Sequence, residues 1–249
     1  TCDASGGRTP DATGGPDQWG GPSIHDLDDD GLPEILYGAT VFGMDGCIRS
    51  STFGYPAYHR GVVPVVADVD EDGAMELVLG NALYAWDAAS GDLVAESYFA
   101  PGSLAAGQVA VADFGVFPLA SFADGDRAEI AVVSSGQARV QTLEGTVVFG
   151  PFPLPGGGSG GLPTIADFDG DGRREFASAG GANYVVFDLD CTACGAVGTC
   201  ASGRTDGILW TRPSQDLSSN VTGSSVFDFD ANGSAEAVYA DECFLRIYD

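Results

Sequence analysis

The sequence predicts an all-β fold, organised as a β-propeller whose blades are copies of one short unit. Three observations support this prediction. An acidic motif recurs five times along the 249 residues, short apolar stretches flank the copies, and glycine-bearing turns separate those stretches. No segment shows a sustained helical period of apolar residues, so helices are not expected.

The acidic motif has the form Asp-x-Asp-x-Asp/Asn-Gly-x-x-Glu, and four of its copies are intact. A fifth copy is damaged, because about ten extra residues separate Ala112-Asp113-Phe114 from the closing Asp124-Gly-Asp126-Arg-Ala-Glu129. The first aspartates of the five copies lie at residues 26, 68, 113, 167 and 228, which gives a repeat of 42 to 61 residues.

The second copy illustrates the strands that each unit predicts. The β-branched stretch Pro64–Ala67 precedes the acids, and the apolar run Leu77–Leu79 follows them. A turn at Gly80-Asn81 leads to a third alternating stretch, Leu83–Trp86, and a further turn follows at Ser90-Gly91. Short strands joined by such turns are typical of an antiparallel array.

The proposed organisation is a Gly/Pro/Asp-rich head followed by repeats. The head covers residues 1–22, and the repeats cover approximately 23–63, 64–107, 108–161, 162–222 and 223–249. A β-sandwich is the structural alternative, but it would not explain one acidic loop per repeat. Two arrangements stay open: the two ends complete one blade between them, or the chain is part of a larger propeller, for example one of seven blades.

The charge of the chain limits its partners. The net charge is −26, from 36 acids against ten bases, and lysine is absent. Such a surface repels nucleic acid and anionic lipid, so neither partner is expected. No apolar run approaches the ~18 residues of a membrane span. Because the acids are clustered, they indicate a bound cation.

The spacing within the motif suits calcium. Calcium takes six to eight oxygen ligands, and carboxylates at positions 1, 3 and 5 of a tight loop can point inward together. The glycine at position 6 permits a sharp turn that directs the carbonyl of position 7 inward, and the glutamate at position 9 would complete the shell. An EF-hand is excluded because its position 12 is a glutamate, whereas Tyr37, Leu79, Ser178 and Tyr239 stand there. Magnesium prefers to keep its waters, so it is less expected.

With this motif placed between two strands and repeated along the chain, the sequence resembles the FG-GAP/VCBS repeats. These occur in the propellers of integrin α-subunits and in secreted bacterial proteins. The resemblance covers Ser23 to Asp249 and implies a calcium-binding β-propeller. In that family, positions 1, 3, 5 and 9 and the carbonyl of position 7 hold the ion.

The resemblance implies about four calcium ions, each held by four side chains and one carbonyl. The four ligand sets are Asp26, Asp28, Asp30, Glu34 and the carbonyl of Leu32; Asp68, Asp70, Asp72, Glu76 and the carbonyl of Ala74; Asp167, Asp169, Asp171, Glu175 and the carbonyl of Arg173; and Asp228, Asp230, Asn232, Glu236 and the carbonyl of Ser234. Asn232 makes the last site less anionic and weaker. Family loops often end in aspartate, so the binding mode of the glutamates, monodentate or bidentate, stays open. Whether the damaged copy binds an ion also stays open.

The six cysteines favour disulfides and an oxidising compartment. One possible disulfide pairing links Cys2 with Cys47. It also places a disulfide within the segment Cys191–Cys200 and links that segment to Cys243. Cys191-Thr-Ala-Cys194 could instead be a redox pair or a zinc site, but histidines are nearly absent. The chain starts without methionine or signal peptide, so the form given is expected to be processed or partial.

Other catalytic motifs are weak. Gly157-Gly-Ser159-Gly-Gly161 matches a nucleophile elbow, but no histidine follows it and a flexible turn is expected. His25 is expected to be a strand-surface or core residue. Trp86 and Tyr248 occupy similar third-strand positions, which suits packing between blades.

Two functions remain in competition. The first is a secreted, non-catalytic module for adhesion or surface assembly that binds an extracellular protein or glycan, or other segments of the same polypeptide or assembly. Its binding loops would be the insertions Phe114–Ala123, Phe152–Gly161 and Cys191–Ser219. The alternative is a polysaccharide-degrading propeller enzyme. A third possibility is a structural segment of an extracellular filament, which would have the same calcium-binding chemistry as the adhesion module.

Overall fold

The computed structural model describes residues 21–37, 40–51, 63–95, 104–115, 127–193, 199–218 and 221–249. Across these ranges the secondary structure is nineteen strands in five antiparallel sheets, which confirms the all-β prediction. The closure of the sheets into a propeller stays a prediction. No helix in the described ranges is long and apolar enough to cross a membrane.

The chain divides into two compact units, and the first comprises Thr1–Gln108 with Leu143–Gly145. It contains two four-stranded sheets, each with its strands in chain order. Sheet 1 consists of β1 (Ser23–His25), β2 (Glu34–Tyr37), β3 (Thr40–Phe42) and β4 (Ile48–Ser51). Sheet 2 consists of β5 (Val65–Ala67), β6 (Glu76–Leu79), β7 (Ala82–Asp87) and β8 (Asp92–Ala95).

The second unit comprises Val109–Thr142 and Thr146–Asp249, and it carries three sheets. Sheet 3 consists of β9 (Gln108–Ala112), β10 (Glu129–Ser134), β11 (Gln137–Gln141) and β12 (Val147–Pro153). Sheet 4 consists of β13 (Thr164–Ala166), β14 (Glu175–Ala179), β15 (Asn183–Thr192) and β16 (Asp206–Pro213). Sheet 5 has three strands, β17 (Ser224–Phe227), β18 (Glu236–Ala240) and β19 (Leu245–Tyr248).

Within each unit the sheets pack face to face, because alternate residues of each strand point to opposite faces. In sheet 4, Phe176 and Phe187 pack with residues of sheet 3, whereas Ala177 and Tyr184 pack with residues of sheet 5. Sheet 4 therefore packs apolar side chains on both faces, and its two inner strands, β14 and β15, are buried almost throughout. In the first unit, Leu36 of sheet 1 and other buried residues form one core with sheet 2.

The same pair of unlike faces meets at each of these contacts. We call face B the side that carries the residue two positions before the first aspartate of a repeat, and face A the opposite side. Face B is represented by Val66 in sheet 2, Ile165 in sheet 4 and Val226 in sheet 5, and each packs against the preceding sheet. Face A of one sheet therefore covers face B of the next.

Two expectations about the insertions need correction. Cys191–Ser219 contains a regular strand, β16, because Ile208 packs on one side of sheet 4 and Leu209 on the other. The glycine run Gly157–Gly161 is packed rather than free: a Cβ at Gly161 would lie 2.2 Å from the Thr222 carbonyl oxygen. The remaining predicted insertion, Phe114–Ala123, lies mostly outside the described residues.

Leu77→Ala tests the core that sheets 1 and 2 share. Leu77 is 0% exposed, so we expect the free energy of unfolding to fall by about 2–5 kcal/mol in chemical denaturation. Leu32→Ala is the matched control, because Leu32 is 50% exposed and its loss should change stability by less than about 0.5 kcal/mol. Equal effects of the two substitutions would contradict this packing.

Candidate metal centres

Hairpin register places the acidic loops at one end of their sheets. In the four intact repeats, the residue before the first aspartate pairs with the position-9 glutamate across the first two strands. The pairs are His25–Glu34, Ala67–Glu76, Ala166–Glu175 and Phe227–Glu236. The eight residues between the members of each pair form the loop, so the strands themselves hold its ends together.

Each intact loop brings three carboxylates together. One oxygen from each of positions 1, 3 and 9 lies within 4.8 Å of the other two. The groups are Asp26, Asp28 and Glu34; Asp68, Asp70 and Glu76; Asp167, Asp169 and Glu175; and Asp228, Asp230 and Glu236. Three oxygens this close can coordinate one cation.

Positions 5 and 7 of the loop have a different local role. The position-5 carboxylates of Asp30, Asp72 and Asp171 are not members of these three-residue groups. Each accepts the backbone N–H of position 7 at 2.8 Å, as the Asn232 amide oxygen does at 2.7 Å. These Asx turns stiffen the loop. The structure therefore assembles positions 1, 3 and 9, while ligation by positions 5 and 7 stays a prediction.

Left-handed backbone conformations make the loop tight. Position 6 is glycine in every intact copy, with φ between 84° and 99°. Its N–H donates to the position-1 carboxylate at 2.9 to 3.1 Å. A Cβ at Gly172 would meet nothing within 4 Å, so it is the backbone conformation, and no steric contact, that requires glycine there.

The position-9 glutamate closes the loop through one of its two oxygens. Its Oε2 accepts the backbone N–H of position 2 at 2.6 to 3.0 Å in the four intact repeats. The damaged repeat has the same bond, from the Phe114 N–H to Glu129 Oε2 at 2.9 Å. Because Oε2 is used in this way, Oε1 is the oxygen that a cation would contact, and monodentate binding by the glutamate stays a prediction.

Several oxygens of these loops are buried without a hydrogen bond. They are Asp28 Oδ1, Asp68 Oδ1 and Glu76 Oε1. A buried carboxylate oxygen without a partner is costly, so these atoms fit a cation that would bind among them. In the first loop an arginine contributes some compensation, because Arg49 Nη1 lies 3.4 Å from Glu34 Oε1.

Burial and mutual repulsion oppose ionisation of the closing glutamates. Burial raises the pKa of Glu76 to about 7 and that of Glu175 to about 9, and neighbouring aspartates add to both effects. Burial also raises the pKa of Glu34 and of Asp169 above their ordinary values. A bound cation would oppose these shifts, because it stabilises the charged carboxylates.

The third intact loop has a second layer of acids that the motif did not reveal. Arg173, at position 7, forms an ion pair at 3.0 Å with Asp190 of β15. Asp188, two residues earlier, is buried, and its pKa is raised to about 6 by burial and by nearby aspartates. The sequence does carry a signal for these two acids, because Asp-Leu-Asp stands within an apolar strand. A buried acid there is costly without a partner, so the pattern indicates that a partner is present.

Consecutive loops of the second unit are hydrogen-bonded to one another. The Ala235 N–H, at position 8 of the last loop, donates to the Asp167 carbonyl at 2.8 Å. One repeat earlier, the Arg174 guanidinium, also at position 8, donates to the Asp113 carbonyl at 2.9 Å. Position 8 of one repeat thus contacts position 1 of the preceding repeat.

The cysteines are partly as expected. Cys191 and Cys200 form a disulfide with a Cα–Cα distance of 4.5 Å, so the structure pairs Cys191 with Cys200 and not with Cys194, which lies outside the described residues. Cys47 is also disulfide-bonded, and Cys2, its expected partner, lies outside the described residues. The expected tie to Cys243 is wrong: Cys243 is a free, exposed thiol, in the turn between β18 and β19.

No protein-family model and no curated protein matches the sequence. Solved structures with a similar fold include the two that follow. The V. cholerae biofilm matrix protein Bap1 matches 88% of this chain at 18% identity and a TM-score of 0.51. The exotype rhamnogalacturonan lyase YesX matches 91% of this chain at 19% identity and a TM-score of 0.52. The matches cover 32% and 36% of those proteins, and the likeness shows the fold alone.

The raised pKa of Glu175 predicts how stability depends on pH in the presence of a chelator. The folded state keeps a proton that the unfolded state releases, so this stabilisation is complete below about pH 4.5 and is lost as the pH rises through about 9. We expect Glu175→Gln to melt like the wild type at pH 5 and several degrees higher at pH 9. The measurement is thermal unfolding by circular dichroism, and a difference that does not grow with pH would contradict it.

Proposed function

We propose that this chain is a calcium-binding module of a secreted protein, built as an FG-GAP/VCBS-type β-propeller. Its proposed role is to bind an extracellular protein or glycan without catalysis. The observation that carries the metal assignment is the fourfold repetition of one loop geometry. Each copy presents three carboxylate oxygens within 4.8 Å of one another, between two strands of a sheet.

Calcium fits this oxygen set better than other ions. All predicted ligands are oxygens, and calcium accepts a flexible shell of six to eight of them, whereas zinc and copper favour nitrogen and sulfur. Ion binding would convert the repulsion among the acids into attraction, so that metal binding is coupled to folding. The last site, with Asn232 at position 5, would bind more weakly than the others.

The propeller assignment rests on the regular stacking of the sheets. Face A of one sheet covers face B of the next in both units, which is the packing that blades around an axis require. The disulfide between Cys191 and Cys200 supports a secreted location, and so does Cys47, which is also disulfide-bonded. Bap1, a biofilm matrix protein with this fold, is compatible with an extracellular binding role.

Removal of calcium should destabilise the protein. We expect excess chelator to lower the melting temperature by more than about 5 °C and added calcium to restore it. Elemental analysis of the calcium-loaded protein should give about four ions per chain. A melt that does not change in excess chelator would reject the metal assignment.

A double substitution tests the assignment of individual ligands. Asp167→Asn with Asp169→Asn should remove one bound ion, because it takes two of three clustered carboxylates from one loop. Asp45→Asn is the control: its side chain accepts the Cys47 N–H in the β3–β4 turn, a role that an amide oxygen can also fill. Loss of an ion in the control, or retention of all ions in the double variant, would count against these ligands.

Binding without cleavage separates the proposed role from a polysaccharide-degrading enzyme. We expect calcium-dependent retention on some member of a panel of immobilised glycans and matrix proteins, and no new reducing ends after long incubation with the polysaccharides. The double variant of the third loop serves as a control for calcium dependence. Release of reducing ends that scales with protein concentration would favour the enzyme.

A further inference from the structure

Asn232 and Gly233 form the only Asn-Gly dipeptide in the sequence. An asparagine before glycine is prone to deamidation, because glycine has no side chain to hinder attack of its backbone nitrogen on the asparagine amide. The other asparagines, Asn81, Asn183 and Asn220, precede alanine, tyrosine and valine. The dipeptide occupies positions 5 and 6 of the last acidic loop, where the other three intact loops carry Asp-Gly.

The dipeptide is accessible to water. Asn232 and Gly233 are exposed, and positions 5 and 6 are exposed in every intact loop, so this exposure is a property of the loop itself. The φ of Gly233 is 99°, and a Cβ at this residue would meet nothing within 4 Å. Solvent therefore reaches both the asparagine amide and the nitrogen that follows it.

Two hydrogen bonds of the loop suit the chemistry of deamidation. The Gly233 N–H donates to Asp228 Oδ2 at 3.0 Å, so a carboxylate lies next to the proton that this nitrogen must lose when it attacks. The Ser234 N–H donates to Asn232 Oδ1 at 2.7 Å, and it therefore points at the oxygen that gains charge during the attack. The loop thus places a base beside the nucleophile and a hydrogen-bond donor beside the electrophile.

We propose that Asn232 is a modification site at which the loop itself promotes the conversion of asparagine to aspartate. The Gly233 nitrogen attacks Asn232 Cγ and forms an N–Cγ bond, while its proton passes to the Asp228 carboxylate. The Cγ–Nδ2 bond then breaks with its electron pair on nitrogen, which takes up that proton and leaves as ammonia. Water adds to Cγ of the resulting succinimide, the N–Cγ bond breaks, and the Gly233 nitrogen regains a proton. The backbone is restored, and a side-chain carboxylate remains.

The loop geometry already accommodates the product. At position 5, Asp30, Asp72 and Asp171 accept the position-7 N–H at 2.8 Å, close to the 2.7 Å of Asn232. Deamidation therefore gives the last loop the acid that its three counterparts carry, in the same local hydrogen bond. The consequence for calcium rests on the proposed function: one more charged ligand strengthens binding at the last site.

Peptide mass spectrometry after long incubation in a mildly alkaline buffer with chelator tests the modification. We expect the Asn232 side chain to convert to the acid, with fragmentation that tells aspartate from isoaspartate, while Asn81 and Asn183 stay amides. An Asn232 that converts no faster than those two residues would overturn the proposal. So would conversion mainly to isoaspartate, which lengthens the backbone and does not restore the loop of the other repeats.

Asp72→Asn and Asp45→Asn form a matched pair that separates the loop from the dipeptide. Each places an Asn-Gly pair in an exposed turn whose glycine has a positive φ, at Gly73 and Gly46. In each turn, the side-chain oxygen of the substituted residue accepts the N–H two residues later. The turns differ in the partner of the glycine N–H: Gly73 donates to the Asp68 carboxylate at 3.1 Å, whereas Gly46 donates to a backbone carbonyl at 2.8 Å.

The rates at these positions decide whether the carboxylate matters. We expect the new asparagine of Asp72→Asn to convert at about the rate of Asn232, and that of Asp45→Asn to convert about tenfold or more slowly. Asp228→Asn should slow conversion at Asn232 to a similar extent, with circular dichroism to confirm the fold. Equal rates in Asp45→Asn and at Asn232 would overturn the proposal, because the dipeptide alone would then account for the reaction.

Asn232→Asp tests the consequence for calcium separately. In calorimetric titrations, we expect this variant to bind the weakest of its ions about tenfold more tightly than freshly prepared wild type. Equal affinities would overturn the proposed effect on the last site. Absence of calcium binding by both proteins would reject the proposed function, whereas the deamidation, measured in chelator, would stand.

Discussion

The hydrogen bond from the position-2 N–H to the position-9 glutamate is the contact on which the acidic loops depend. It is present in all five repeats, at distances from 2.6 to 3.0 Å. This hydrogen bond holds the carboxylate beneath the loop, which is consistent with the burial of all five glutamates in the part of the chain that the structure describes. Its presence in the damaged repeat, between Phe114 and Glu129, indicates that loop closure is a structural requirement of the unit. Ion binding would be added to that requirement where the first three acids are intact.

Burying the glutamate has an electrostatic cost that the loop geometry increases. The aspartates at positions 1 and 3 lie beside it, and the pKa of Glu175 is raised to about 9 by burial and by those neighbours. A proton can neutralise the site, and so can a cation, which would neutralise more charge and use the oxygens that lack hydrogen bonds. The glutamate, one methylene longer than aspartate, can reach the position-2 N–H with one oxygen and present the other. The proposed calcium site and the fold therefore use different oxygens of the same side chain.

The acidic loops also take part in the contacts between sheets. In the second unit, position 8 of each later repeat donates a hydrogen bond to the position-1 carbonyl of the repeat before it. The position-2 side chain of an earlier repeat, such as Phe168, packs under the following sheet. Ion binding, loop closure and sheet stacking thus act on adjacent atoms of the same few residues. Phe229, the position-2 residue of the last repeat, is exposed, whereas Phe168 at the same position is buried under sheet 5.

The sequence by itself determined the all-β class, the repeat and the acidic loop of each intact copy, whereas the structure decided that positions 1, 3 and 9 are the acids that cluster. These features could be predicted because they depend on local spacing: nine consecutive residues set the turn, and alternation sets the faces of the strands. Only the tertiary structure decided which glutamate oxygen is committed to the backbone, that Arg173 pairs with Asp190, and that residues 206–213 complete sheet 4. It also decided that Cys243 is free and that Phe229 is exposed. Most of these features depend on contacts between residues far apart in the chain, which the spacing of a motif does not encode.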